Sequence, residues 1–102
     1  MNAANPLPAT VMALDRLVHE PARLVILSAL ATADNAEFRF LEFLTGLTAG
    51  NLSSHISKLE AAGYVTVEKS FRDKRPLTTV RITQQGQAAL KDYRQKMKRA
   101  LS

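Results

Sequence analysis

Apolar residues recur at helical spacing early in the chain: Val11, Leu14, Leu17 and Val18 follow Thr10, whose side-chain oxygen can cap a helix. Pro21 disfavours helical geometry at Glu20, so this first helix is expected to end near His19. The same proline suits the first position of a second helix, running to about Ala33. There Leu24, Val25, Ile26, Leu27, Ala29 and Leu30 leave almost no polar side, which is how a buried central helix reads. Ala33 to Ala36 is a polar break, and Glu37 to Phe40 alternates like a very short strand. Leu41 to Thr45 then reads as a short helix that Gly46 stops. Thr48 can cap the next helix, which carries Leu52, Ile56 and Leu59 on one face and ends at Gly63.

The period then changes. Tyr64 to Lys69 and Leu77 to Ile82 are rich in β-branched residues and partly alternate, as strands do. Between them Phe71 to Pro76 forms a charged connection, expected to be too long for a two-residue turn. Thr83 can cap a last helix from Gln84 to about Leu101. Two short helices across a glycine-containing turn, followed at once by a basic hairpin, make a winged helix-turn-helix. The fold class is therefore α+β, mainly α, with an N-terminal helix and a C-terminal dimerisation helix. Residues 1–9, with two prolines and no periodicity, are expected to be a flexible arm, and residues 10–102 a single domain.

Composition narrows the function. No apolar run approaches the roughly 18 residues of a membrane span, and no basic residue precedes an apolar segment at the amino terminus. With no cysteine there is no disulfide framework and no thiolate metal site. A cytoplasmic location and no membrane partner are expected. His19 and His55 lie 36 positions apart with no carboxylate at ligand spacing, so no metal is expected. No nucleophile–base pair, phosphate loop or paired carboxylates stand out; neither an enzyme nor a cofactor is expected.

Charge changes the picture more. Residues 1–57 hold three basic and five acidic residues, net −2, whereas the rest holds eleven basic and four acidic, net +7. That asymmetry points to a polyanionic partner for the second half. In the helix from Thr48, the polar and small residues Thr48, Ala49, Gly50, Asn51, Ser53, Ser54, Ser57 and Lys58 lie off the apolar face. Such residues permit close approach and present donors and acceptors to base edges. Lys69, Arg72, Lys74 and Arg75 on the hairpin can contact the backbone or the minor groove; a solvated charged turn is the other reading. His55 either supports its helix or touches a phosphate. On the last helix Leu90, Tyr93, Met97 and Leu101 form a narrow apolar seam. It suits a partner helix, with Val11, Leu14 and Val18 joining it across a two-fold axis, or packing within the same chain.

Three segments resemble small bacterial and archaeal winged-helix regulators of the MarR and ArsR groups: LDRLVHEPARLVIL from Leu14, LTAGNLSSHISKLEAAGYV from Leu47, and RPLTTVRIT from Arg75 followed by Gly86. The likeness spans about residues 11–100. It implies a homodimeric transcription regulator reading an inverted repeat in double-stranded DNA, with Thr48, Asn51, Ser53, Ser54 and Ser57 near bases or backbone. Cysteine-based metal sensing, common among ArsR-type proteins, does not carry over. A small-molecule effector, as many MarR-type proteins bind near the dimer interface, is a further partner the resemblance allows, and nothing in the sequence identifies the ligand. A protein-interaction module and a ligand-gated sensor are the competing functions.

Overall fold

The computed structural model of the protein describes residues 13–102. Among these residues the order is α1 (Pro21–Ala33), β1 (Asn35–Glu37), α2 (Phe38–Thr45), α3 (Ala49–Ala61), β2 (Val65–Arg72), β3 (Arg75–Ile82) and α4 (Gln84–Leu101). The strands form one antiparallel sheet in the order β1-β3-β2. Helices α1 to α4 surround a core that the apolar periodicity anticipates. Ile26, Leu27 and Leu30 come from α1, Leu41 from α2, Leu52, Ile56 and Leu59 from α3, and Leu90 and Tyr93 from α4. Val65, Val80 and Ile82 close it from the sheet. The architecture is a winged helix, mainly helical, as expected.

Three local expectations fail, each for a physical reason. The proposed first helix is not one where the structure describes it: residues 13–20 form turns. Asp15 Oδ1 takes the backbone N–H groups of Leu17 and Val18 at 2.9 and 3.4 Å, and His19 N–H closes a single turn on Asp15 O at 2.7 Å. An aspartate that captures nearby N–H groups competes with helix continuation. The arm at 1–9, the Thr10 cap and Val11 lie outside the described residues. After the turn, Glu20 caps α1 by accepting from Arg23 N–H, and Pro21 opens the helix as expected.

The short strand lies two residues earlier than the alternation predicts. Ala36 is its inward residue, and α2 starts at Phe38 because Phe38 and Leu41 meet the core at helical spacing. Gly46 follows α2 with φ of 70°, a left-handed position no nearby atom would otherwise forbid to a side chain.

The wing also closes more tightly than expected. Its strands reach Arg72 and Arg75, which face each other, and only Asp73 and Lys74 turn the chain, at φ of 50° and 66°. Two successive left-handed residues are the geometry that matches strand twist in a two-residue hairpin. Pro76 is tolerated in β3 because it lies opposite Phe71, next to the closing pair. By antiparallel alternation its missing N–H points away from β2, and β1 pairs only with Thr79 to Arg81 on that side.

Helix α4 begins where the wing returns to the core. Thr83 accepts from Gly86 N–H at 3.0 Å, and its hydroxyl donates to Gly63 O at 2.6 Å. Gly86 is obligatory here, since a Cβ would stand 2.2 Å from Tyr64 O.

Candidate nucleic-acid interface

Helix α3 is held by one face. Leu52, Ile56 and Leu59 are buried, while Thr48, Ala49, Gly50, Asn51, Ser53, Ser54, Ser57 and Lys58 are all exposed. Thr48 caps the helix by accepting from Asn51 N–H at 3.2 Å. Among the described residues no other polar side chain in that set makes an intramolecular hydrogen bond, so their donors and acceptors stay available to an outside partner. Gly50 has open space around the position of a Cβ, so nothing inside the protein requires a glycine there.

The wing stands beside this face. Ser53, Ser57 and Glu60 of α3 and Val67, Lys69 and Thr78 of the wing line a single groove of about 300 Å³. Lys58, Lys69, Lys74 and Arg75 are exposed and form no ion pair among the described residues. Arg72 pairs with Glu37 at 3.3 Å, with both side chains largely in solvent. Such a pair contributes only about 0–1 kcal/mol, so Arg72 exchanges readily for another anion. Arg81, behind the wing, is bonded to Asp34. Arg72 and Arg75 sit directly opposite each other, a like-charge pair that disfavours the hairpin on its own account. Arg39 of α2 shares a groove with Arg72, Arg75 and Asp73 at the tip. Its place is invisible without the observed start of α2.

The seven residues assigned to dimerisation are divided by the structure. Leu14, Val18, Leu90 and Tyr93 are buried within this chain's own core. Met97 is partly buried against it, Leu101 is 78% exposed, and Val11 lies outside the described residues. A second apolar surface went unread in the sequence: Phe40, Phe43 and Leu44 on α2 and Val25 on α1 are exposed, Phe43 to 84%. Spacing of three and four on α2 puts its three residues on one face.

Two polar clusters complete the geometry. Tyr64 donates to Asp15 Oδ2 at 2.5 Å, and Arg23, on α1, meets His55 of α3. The bond to Asp15, with burial and the carboxylate charges of Asp15 and Asp92, pushes the Tyr64 phenol up to about 12. Among the described residues no cluster of three or more histidine or acidic side chains could hold a metal. No helix there is long and apolar enough to cross a membrane.

A family model described as a winged helix DNA-binding domain matches residues 22–101. The chain belongs to the winged-helix DNA-binding family. It is 36% identical over 78 residues to an uncharacterised protein of Methanocaldococcus jannaschii, covering 76% of this chain and 85% of that one. A transcriptional regulator homologue from Pyrococcus horikoshii superimposes with a TM-score of 0.84 at 33% identity, over 93% of each chain. A mutant MarR from Escherichia coli, solved with operator DNA, shares the fold with a TM-score of 0.65 at 20% identity, over 93% of this chain and 73% of that one. The resemblance to MarR- and ArsR-type regulators read from the three segments thus holds for the winged-helix fold.

Proposed function

We propose that this winged-helix regulator binds double-stranded DNA sequence-specifically as a homodimer, with α3 in the major groove and the wing on the backbone or in the minor groove. The observation that carries this reading is the shared surface: Ser53 and Ser57, on the unbonded polar side of α3, line one groove with Lys69 of the wing, and Lys74 and Arg75 at the wing tip are exposed without an ion pair among the described residues. A duplex presents base edges and phosphates side by side, and this surface offers partners for both. Asn51 and the serines supply base-edge or phosphate hydrogen bonds, and Lys58, Lys69, Arg72, Lys74 and Arg75 neutralise phosphates. The free N–H groups at the start of α3 add an anion site. Two copies related by a two-fold axis would read an inverted repeat with half-sites about one helical turn apart.

The salt dependence of affinity tests this. With three or four phosphate contacts per protomer, log affinity should fall against log salt with a slope of about −6. Charge reversal of Arg72, Lys74 and Arg75 together should lower affinity at every salt concentration and flatten that slope. A salt-independent interaction, or one indifferent to those reversals, would favour a protein-docking wing instead.

A further inference from the structure

Leu52, Ile56 and Leu59 attach α3 to the core by apolar contacts, which are strong but non-directional. Side-chain packing sets the approximate crossing angle of a helix, and directional hydrogen bonds refine its rotation and tilt; α3 has few of these. Among the described residues one side-chain hydrogen bond joins it to another element: Arg23 Nη1 lies 3.0 Å from His55 Nδ1. A guanidinium only donates, so Nδ1 accepts and the ring proton sits on Nε2. Glu20 Oε1 is farther from the same nitrogen, at 3.9 Å, and is already bonded to the backbone N–H of Arg23 at 2.7 Å. The nearer contact decides the tautomer.

Arg23 is itself anchored. Its Nε donates to Leu17 O at 2.6 Å, and Leu17 lies in the turn that Asp15 Oδ1 caps. The other oxygen of Asp15 accepts from Tyr64, just past the end of α3. One short segment therefore grips the helix twice, at its middle through Arg23 and His55, and at its exit through Asp15 and Tyr64. The same segment reaches α4, where His19 Nδ1 meets the Tyr93 hydroxyl at 2.8 Å.

We propose that Asp15–Arg23 is a bracket that sets the orientation of α3, with Arg23 positioning His55 and Asp15 positioning Tyr64. Its effect on DNA affinity rests on the function proposed above; its effect on helix orientation does not. In this arrangement the bracket acts through α3, by holding His55 and Tyr64.

The test uses the full chain with His55→Ala, His55→Asn and Tyr64→Phe. Asparagine keeps an acceptor oxygen close to the place of Nδ1, whereas alanine removes it. Nitrogen-15 spectra of the wild-type ring should show Nδ1 unprotonated and Nε2 protonated. Amide residual dipolar couplings of Ala49–Ala61 should change in His55→Ala and Tyr64→Phe, with those of α1 and α4 unchanged, and return in His55→Asn. On a duplex selected from random sequence, His55→Ala should bind about tenfold more weakly, with non-specific binding within twofold of wild type. A protonated Nδ1, or unaltered α3 couplings in both disrupting variants, would overturn the bracket. So would equal loss on both duplexes or no rescue by asparagine. A wild-type chain that bound no duplex would sink the DNA reading, while the couplings would still decide the bracket.

Discussion

Gly50 and Tyr64 each invite a measurement that separates structure from function. Gly50 lies in the first turn of α3 with open space where a side chain would go, so replacing it with alanine should stabilise the fold by about 0.5–1 kcal/mol. If that space is clearance for a duplex, the same variant should bind DNA more weakly. Denaturant unfolding and a binding titration should therefore move in opposite directions; a gain in both would remove Gly50 from the interface. Tyr64 predicts a pH effect. Its phenol titrates at about 12 in the fold, against 10 for an ordinary tyrosine. The folded state thus holds a proton that the unfolded state has lost, so this contribution to stability is full below pH 10 and disappears as pH rises towards 12. Thermal melts across that range should show the decline, and Tyr64→Phe should be less sensitive. At this scale the sequence was informative wherever exposure followed from periodicity, as for Thr48 to Lys58. For His55 it offers helix support or a phosphate contact but does not point to Arg23 as a partner, because a contact between residues 32 apart leaves no local pattern.

Elements were legible when apolar spacing was long and uninterrupted. Helices α1, α3 and α4 agree with the reading from periodicity and caps, including the caps at Thr48 and Thr83. The described part of the first proposed helix failed because Asp15 takes the N–H groups that a continuing helix needs, a competition that hydrophobic spacing does not register. The wing tip was misread because Asp-Lys is a weak signal for a two-residue turn and Pro76 argues against a strand. That turn gives a prediction. Lys74→Gly should relieve the left-handed strain and stabilise the hairpin by roughly 0.5–1 kcal/mol, yet weaken DNA binding by removing a cation. Gly86→Ala should do the reverse of stabilising: with Tyr64 O so close, it should cost about 1–3 kcal/mol, read as a lower midpoint in urea.

Across the whole molecule, the charge excess after residue 57 falls on α3's outer end, the wing and α4, while the acidic residues of the first half are largely engaged in intrachain contacts. Asp15 and Glu20 bond partners away from the wing, while Asp34 and Glu37 pair with Arg81 and Arg72 of the hairpin, so among the described residues Lys69, Lys74 and Arg75 are the hairpin cations left without an ion pair. The fold was readable from sequence at this scale because helix, turn, helix and hairpin follow one another in order. Assembly was not, since an apolar seam on a helix can serve its own core or a partner and the pattern is the same for both. Leu90 and Tyr93 lie in this chain's own core, so among the described residues of the seam the exposed Leu101 and the partly buried Met97 are the positions the proposed homodimer would use. Met97→Asp with Leu101→Asp should shift sedimentation towards the monomer and weaken binding to an inverted repeat.

The most direct test of the account is to map the surface that a duplex covers, by following backbone amide resonances as a selected double-stranded DNA is added. The account predicts that the large changes gather at residues 48–58 and 69–75 together. Changes confined to the apolar face of Phe40, Phe43 and Leu44, with α3 and the wing undisturbed, would contradict it.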